Sequence, residues 1–330
     1  PEERDPVLPG LIVVEPYCGI GGGMRALEIL GIVPEVHVAI DIDKRCLEVV
    51  SRAWPGGYVF AERVTGISLE VWEGMLKRHS QLKRGLVLGG PPCQPFSQLN
   101  PARKGLADPR GDEIDHFVDL VVQLRMISPN IEWNSMMENV NSMEDSDRDA
   151  ITEKHSNLLS SRVNGTPPWN PLRTTPSSLP YALDAAQLGP QSRPRYYWTD
   201  FVIPNSGDIV TEDKGDHTEI KARNLPRRSV TPFLDEGVQK VGTSPFPTAL
   251  QWIEKKKPPL QPAGIEECDA QTRKRWAEAK YPVSPYQFKP ELGVRDPDGT
   301  LRPPNAVERE RLHGYNCLLY TSDAADDRSC

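Results

Sequence analysis

No stretch of the 330 residues approaches the ~20 consecutive apolar residues needed to cross a bilayer. No signal-peptide pattern stands at the start. The six cysteines, at 18, 46, 93, 268, 317 and 330, form no C-x-x-C pair and no metal-ligand spacing. That excludes a zinc-ribbon reading and points to free thiols in a reducing compartment. The six histidines are scattered and support no metal site. There is no overall basic charge either: the net of −7 argues against a general nucleic-acid binder. Internal repeats are absent. The first residue is Pro1 rather than Met, so a piece of a longer chain is expected.

What is present belongs to a soluble globular chain of one large domain or two, 38% hydrophobic and 26% charged. Proline, at 33 residues, is about twice its usual share and gathers in the second half. Residues 221–280 hold twelve Lys and Arg against seven Asp and Glu. A locally basic segment on an acidic body can form a phosphate-binding face.

The first 140 residues alternate strand and helix patterns. "LIVVE" (11–15), "VHVAI" (36–40), "YVF" (58–60), "LVL" (86–88) and "SMMENV" (135–140) read as strands. "GGMRALEIL" (22–30), "DKRCLEVVSRAW" (43–54, with Asp43 as N-cap) and "DEIDHFVDLVVQLRMI" (112–127) read as helices. This period predicts an α/β fold with a parallel sheet covered on both faces. A Pro/Ser/Thr loop follows at 164–180, "RPRYYW" (193–198) restores a strand, and residues 200–300 read as a small irregular module.

Tyr17-Cys18-Gly19-Ile20-Gly21 joins the first strand to a helix, where glycines permit a tight turn and close approach of a cofactor. Asp41 ends the second strand, 22 residues after Gly19, where a carboxylate can hold ribose hydroxyls; the plainer reading is a helix cap shared with Asp43. Together they indicate an adenosine-containing cofactor without separating NAD from S-adenosylmethionine. In "LVLGGPPCQPFS" (86–97) a buried strand ends on a stiff Pro91-Pro92 turn that presents Cys93. Taken singly, Cys93 is a small buried apolar residue, Glu138 a salt-bridged surface acid, and Arg193 and Arg195 solvated. A thiol, an acid and two guanidiniums at one edge of one sheet, beside a cofactor turn, form a constellation.

In order, "EPYCGIGGG", "AIDID", "GGPPCQPFS", "MENV", "QSRPRYYW" and "ERERLHGYN" (308–316) resemble the motif blocks of the DNA cytosine-5 methyltransferases. The resemblance covers residues 11–200 and 300–316. "NPARKGL" (100–106) is similar to the animal de novo enzymes, whereas "PPCQPFS" is closer to the wider family, its tRNA-methylating branch included. It implies a Rossmann-like methyltransferase sheet with helices on both faces, plus a small target-recognition region. The implied division is a catalytic core at 1–200, recognition at 201–300, a return to the core at 301–316 and a non-native tail at 317–330.

The implied cofactor is S-adenosylmethionine, held by Tyr17, Gly19, Gly21, Asp41, Glu62 and Pro91. Catalysis falls to Cys93, Glu138, Arg193 and Arg195, and substrate contacts to Gln94, Ser97, Asn139 and Gln191. The implied partner is DNA, with RNA as the alternative. The implied compartment is the nucleus of a eukaryote or otherwise the cytoplasm.

The chain departs from the family pattern twice. In "YVFAERVTG", Arg63 stands where an acid contacting adenine is expected, leaving Glu62 as the substitute. No block follows "LHGYN" to close the cofactor pocket, so a truncated chain is expected. The competing readings are a tRNA methyltransferase, a non-catalytic relative and a nicotinamide enzyme. The last explains neither "PPCQ" nor "ENV".

Overall fold

Leu11, Ile12, Val13 and Val14 are 7%, 0%, 0% and 0% exposed. Neighbouring strand residues point to opposite faces, so this run makes β1 (Val7–Pro16) an interior strand covered on both sides. The computed structural model describes residues 7–100, 102–160, 179–247, 254–260, 262 and 264–315. Contacts divide the chain into two compact units, 1–183 with 195–223, and 184–194 with 224–330.

The first unit continues through α1 (Gly22–Ile29), β2 (Val33–Ile40), α2 (Lys44–Ala53), β3 (Tyr58–Phe60), α3 (Leu69–Arg78) and β4 (Arg84–Gly89). After these come α4 (Glu113–Ile127), β5 (Glu132–Val140), α5 (Asp145–Ser160), β6 (Tyr181–Asp184), β7 (Pro194–Thr199), β8 (Ile209–Asp213) and β9 (Thr218–Ala222). The α2 helix starts where expected: the Asp43 carboxylate accepts the Arg45 N–H at 2.9 Å. Its inward residues Cys46, Leu47, Val49 and Val50 are buried. The α1 helix has no capping side chain of its own at Gly21. Glu15, at the end of β1, accepts the Gly23 N–H at 2.6 Å and supplies the anionic cap.

The strands run in the order β3-β2-β1-β4-β5-β7-β6-β9-β8. The first five are mutually parallel, and β7 is antiparallel to β5. From β1 the chain proceeds to one side through β2 and β3, then returns to β1's other edge with β4. That reversal opens a crevice beyond the carboxyl ends of β1 and β4, where ligands bind in open α/β sheets. The turn at Tyr17–Gly21 and the loop at Gly90–Cys93 leave from those two ends.

The β8–β9 hairpin differs from the division expected at residue 200. It pairs with β6 through Tyr181↔Thr218 and Ala182↔Glu219, so residues up to 223 belong to the first unit. The second unit carries a three-stranded antiparallel sheet of β10 (Gln239–Lys240), β11 (Val294–Arg295) and β12 (Leu301–Arg302). It also holds α6 (Ala270–Glu278) and α7 (Ala306–Leu312). Its cores are Leu234, Val238, Phe246 and Val294, and Trp276, Val283 and Phe288. Asn305 and Glu308 form a capping box that starts α7 just ahead of the "ERERLHGYN" block. Residues 301–315 thus sit with the second unit, and the tail expected at 317–330 lies outside the described residues, as does most of the 164–180 loop.

Candidate active site

The turn after β1 is built from left-handed backbone: φ is +56° at Tyr17, +52° at Gly19 and +82° at Gly21. Glycine takes this conformation freely, while Tyr17 holds it at about 1–2 kcal/mol. At Gly21 glycine is doubly required, since a Cβ there would lie 2.3 Å from the Trp54 ring. At Gly19 nothing lies within 4 Å of the corresponding position, so the turn presents bare backbone to open space. Asp41 closes the turn from below. One of its carboxylate oxygens accepts the Gly19 N–H and the other the Asp43 N–H, both at 2.9 Å. Ile42, next to it, is 68% exposed, an apolar side chain at the strand end that sequence reading passed over.

The second thiol of this region is chemically quiet. Burial, then the charges of Glu15 and Asp41, push the Cys18 thiol well above its ordinary pKa. Beneath the turn, His37 Nε2 lies 3.1 Å from the buried Glu15 carboxylate, whose other oxygen caps α1.

The Cys93 loop is stiffened from several directions. The Phe96 and Ser97 amides both return to the Cys93 carbonyl at 2.9 Å. Asn100 donates to the Gln94 carbonyl, and the Gly105 amide to the Pro95 carbonyl, each at 2.8 Å. From β5, the Asn139 amide donates to the Pro91 carbonyl at 3.2 Å. The Cys93 side chain is 7% exposed within this frame.

Glu138 and Arg195 come from antiparallel neighbours, β5 and β7, with Val140 opposite Arg195. Arg195 Nε lies 2.7 Å from Glu138 Oε1, and the pair is largely shielded, at 5% and 26% exposure. The other carboxylate oxygen faces the Cys93 loop: a Cβ on Gly90 would lie 3.0 Å from Glu138 Oε2. The acid, the guanidinium and the base of the thiol loop therefore meet at one sheet edge.

Other expected residues have different placements. Asn139 is 0% exposed and supports the loop from within. Ser97 is buried and its hydroxyl accepts the Leu99 N–H at 3.2 Å, while Gln94 is exposed. Glu62 is exposed and packs against Gly66. Arg63 pairs instead with Glu113, the first residue of α4, at 2.5 Å. Gln191 and Arg193 belong to the second unit. There the Gln191 amide donates to the Pro247 carbonyl at 3.4 Å, and the Arg193 N–H donates to Asp184 at 2.7 Å.

The basic clusters divide as well. Lys221 pairs with Glu212, while Arg273 and Arg275 bond backbone carbonyls of Cys268, Ile265 and Phe288. Lys255, Lys256 and Lys257 are exposed.

A mixed sheet with this strand order, its first five strands parallel, a glycine turn after β1 and an acid ending β2 make a Rossmann-like methyltransferase fold. Two solved structures share it: Dnmt2 methyltransferase of S. pombe (TM-score 0.52, 16% identity, 94% of this chain and 88% of that one) and DNMT2 of Spodoptera frugiperda (TM-score 0.50, 17% identity, 94% and 90%). Residues 12–162 match the family described as C-5 cytosine-specific DNA methylase.

The curated tRNA (cytosine(38)-C(5))-methyltransferase of Bos taurus is 30% identical over 148 residues, 44% of this chain and 35% of that protein. The Type II methyltransferase M.AquIA of Picosynechococcus is 32% identical over 127 residues, 38% of this chain and 47% of that one. The matched stretches thus span less than half of either relative.

Proposed function

We propose that this chain methylates C5 of cytosine in DNA through a transient bond to Cys93, with S-adenosylmethionine as donor. The reading is carried by the Glu138–Arg195 ion pair set against Gly90 at the root of the Cys93 loop. The residues present fit the donor. Bare backbone at Gly19, the Asp41 carboxylate beneath it and the exposed Ile42 side chain offer a close approach, a hydroxyl partner and an apolar surface. Tyr17, Gly21, Glu62 and Pro91 complete the set. When bound, S-adenosylmethionine supplies an electrophilic methyl group on a sulfonium.

Cytosine C5 is a poor nucleophile. Addition of the Cys93 thiolate to C6 converts the ring to an enamine and so splits one difficult step into two. Glu138 holds N3 and the exocyclic amine and delivers the proton that this addition calls for. Arg195, already fixed by Glu138, faces O2 and offsets charge gathering there. Extruding a paired base costs on the order of a few kcal/mol. A thiol loop braced by Asn139 meets the base without further ordering.

A second reading, methylation of tRNA, is favoured by the curated relative whose name specifies that substrate. The DNA reading rests on the "NPARKGL" resemblance. Tritium transfer from labelled donor to duplex DNA or to tRNA separates them: label confined to tRNA removes the first. Intact mass after incubation with donor and 5-fluorocytosine DNA tests the chemistry. The expected result is an adduct lost in Cys93→Ala; an adduct that survives this change refutes the mechanism.

A further inference from the structure

Tyr17 carries the turn's one non-glycine residue in left-handed backbone, and its anchor lies 96 residues away. The Tyr17 hydroxyl is 2.9 Å from Glu113 Oε2 and 3.0 Å from the Glu113 carbonyl. The same carboxylate receives Arg63 Nη2 at 2.5 Å on Oε1, and His116 Nδ1 at 3.2 Å on Oε2. One side chain thus ties together the turn after β1, the segment after β3 and the start of α4. The Glu113 side chain is 8% exposed and the Arg63 side chain 62%. Arg63 is the residue found where an acid was expected; here the carboxylate of that wall comes from α4 instead.

We infer that Glu113 is a positioning residue for the methyl-donor turn. It holds Tyr17 in the conformation that turns bare Gly19 backbone outward, and it pins the segment after β3 to the same wall. This inference rests on the proposed donor site. Burial alone would raise the Glu113 pKa, but hydrogen bonds from Arg63, His116 and Tyr17 outweigh it and hold the group below its ordinary value, so it serves as an anion. A pair open to solvent on the Arg63 side contributes little to global stability. The effect of Glu113 is therefore local, on the order of the turn.

The test uses the full chain and four variants: Glu113→Ala, Glu113→Gln, Tyr17→Phe and the Glu113→Ala/Tyr17→Phe double variant. Two quantities are read: amide exchange across Cys18–Gly21 without any donor, and affinity for S-adenosylhomocysteine by calorimetry. Glu113→Ala is expected to speed exchange and weaken affinity by about tenfold each. Glu113→Gln keeps both the side-chain volume and an acceptor for Tyr17 and recovers most of both. Adding Tyr17→Phe to Glu113→Ala changes either quantity by less than about twofold, because the two residues act as a unit.

Exchange and affinity unchanged in Glu113→Ala overturn the inference, as do effects of the two substitutions that multiply. A wild-type chain that binds no S-adenosylhomocysteine, while its turn still loosens in Glu113→Ala, refutes the donor reading and this role with it. The two failures are therefore distinct. If Glu113→Ala does not fold, Tyr17→Phe carries the test: it removes the hydroxyl bound to Glu113, faster exchange and weaker affinity are expected, and neither quantity changing overturns the inference.

Discussion

Arg195 and Glu138 meet across β7 and β5 at 2.7 Å, and this pair takes up one of the two carboxylate oxygens. One oxygen is held by Arg195 Nε; the other lies beside Gly90, where a Cβ would come within 3.0 Å of it. Arg195→Ala leaves Glu138 without the guanidinium and is expected to cost about 3 kcal/mol, toward the low end for a broken buried pair because Glu138 keeps some solvent. Urea denaturation measures this. Glu138→Gln keeps the shape but loses proton transfer, so kcat should fall by about 10²-fold or more at little cost in stability. Retained turnover in that variant removes Glu138 from the chemistry.

The two glycines of the β1 turn separate backbone strain from space. Gly21→Ala meets both a φ of +82° and the Trp54 ring, and is expected to destabilise the chain by more than about 2 kcal/mol. Gly19→Ala meets a φ of +52° and open space, and is expected to cost only about 1 kcal/mol. If the donor occupies that space, Gly19→Ala still weakens S-adenosylhomocysteine binding strongly in calorimetry. Equal affinity in Gly19→Ala and wild type would move the donor elsewhere.

What could be read in the sequence was local. "LIVVE" is an unbroken apolar run, so its burial on both faces followed from composition, and Asp43 caps α2 through a partner two residues away. What could not be read depends on distant partners. The β8 and β9 strands are half-polar and half-buried, and the Tyr181↔Thr218 and Ala182↔Glu219 pairings attach them to the large sheet. Glu113 looks like any acid in a helix's first turn until Tyr17 and Arg63 reach it from 96 and 50 residues away. Asn139, next to the expected catalytic Glu138, was expected to contact substrate. Adjacent strand residues face opposite sides of the sheet, and Asn139 turns inward to the Pro91 carbonyl.

That inward placement makes Asn139 a test of loop rigidity. Asn139→Ala leaves the buried Val140 N–H and the Pro91 carbonyl without their side-chain partner, a cost of about 1–3 kcal/mol. A Cys93 loop displaced by about 1 Å loses about 10²-fold in the rate of adduct formation. Stopped reactions with 5-fluorocytosine DNA, followed by intact mass, give that rate. Donor affinity, which the proposed site assigns to the β1 turn, should stay within about twofold of wild type. A parallel fall in both would mean that the variant damages the sheet rather than the loop.

The carboxylates fix the sign of the acid response. In the β8–β9 hairpin, hydrogen bonds from Lys221 and Lys214 hold Glu212 at a pKa of about 2, from an ordinary value of 4.5. In the second unit, hydrogen bonds from Asn305 and Arg311 hold Asp235 below its ordinary 3.8. Each pKa is lower in the folded than in the unfolded chain, so the unfolded chain binds protons first as pH falls. The stabilisation is therefore complete above the ordinary values and is lost on descending through the folded ones. The urea midpoint should hold steady above pH 4.5 and drop between 4.5 and about 2. In Lys214→Ala/Lys221→Ala the Glu212 share of that drop disappears, so the curve flattens at its lower end. A midpoint that rises on acidification through this window contradicts the assignment, because it would require these acids to be favoured in their protonated form by the fold.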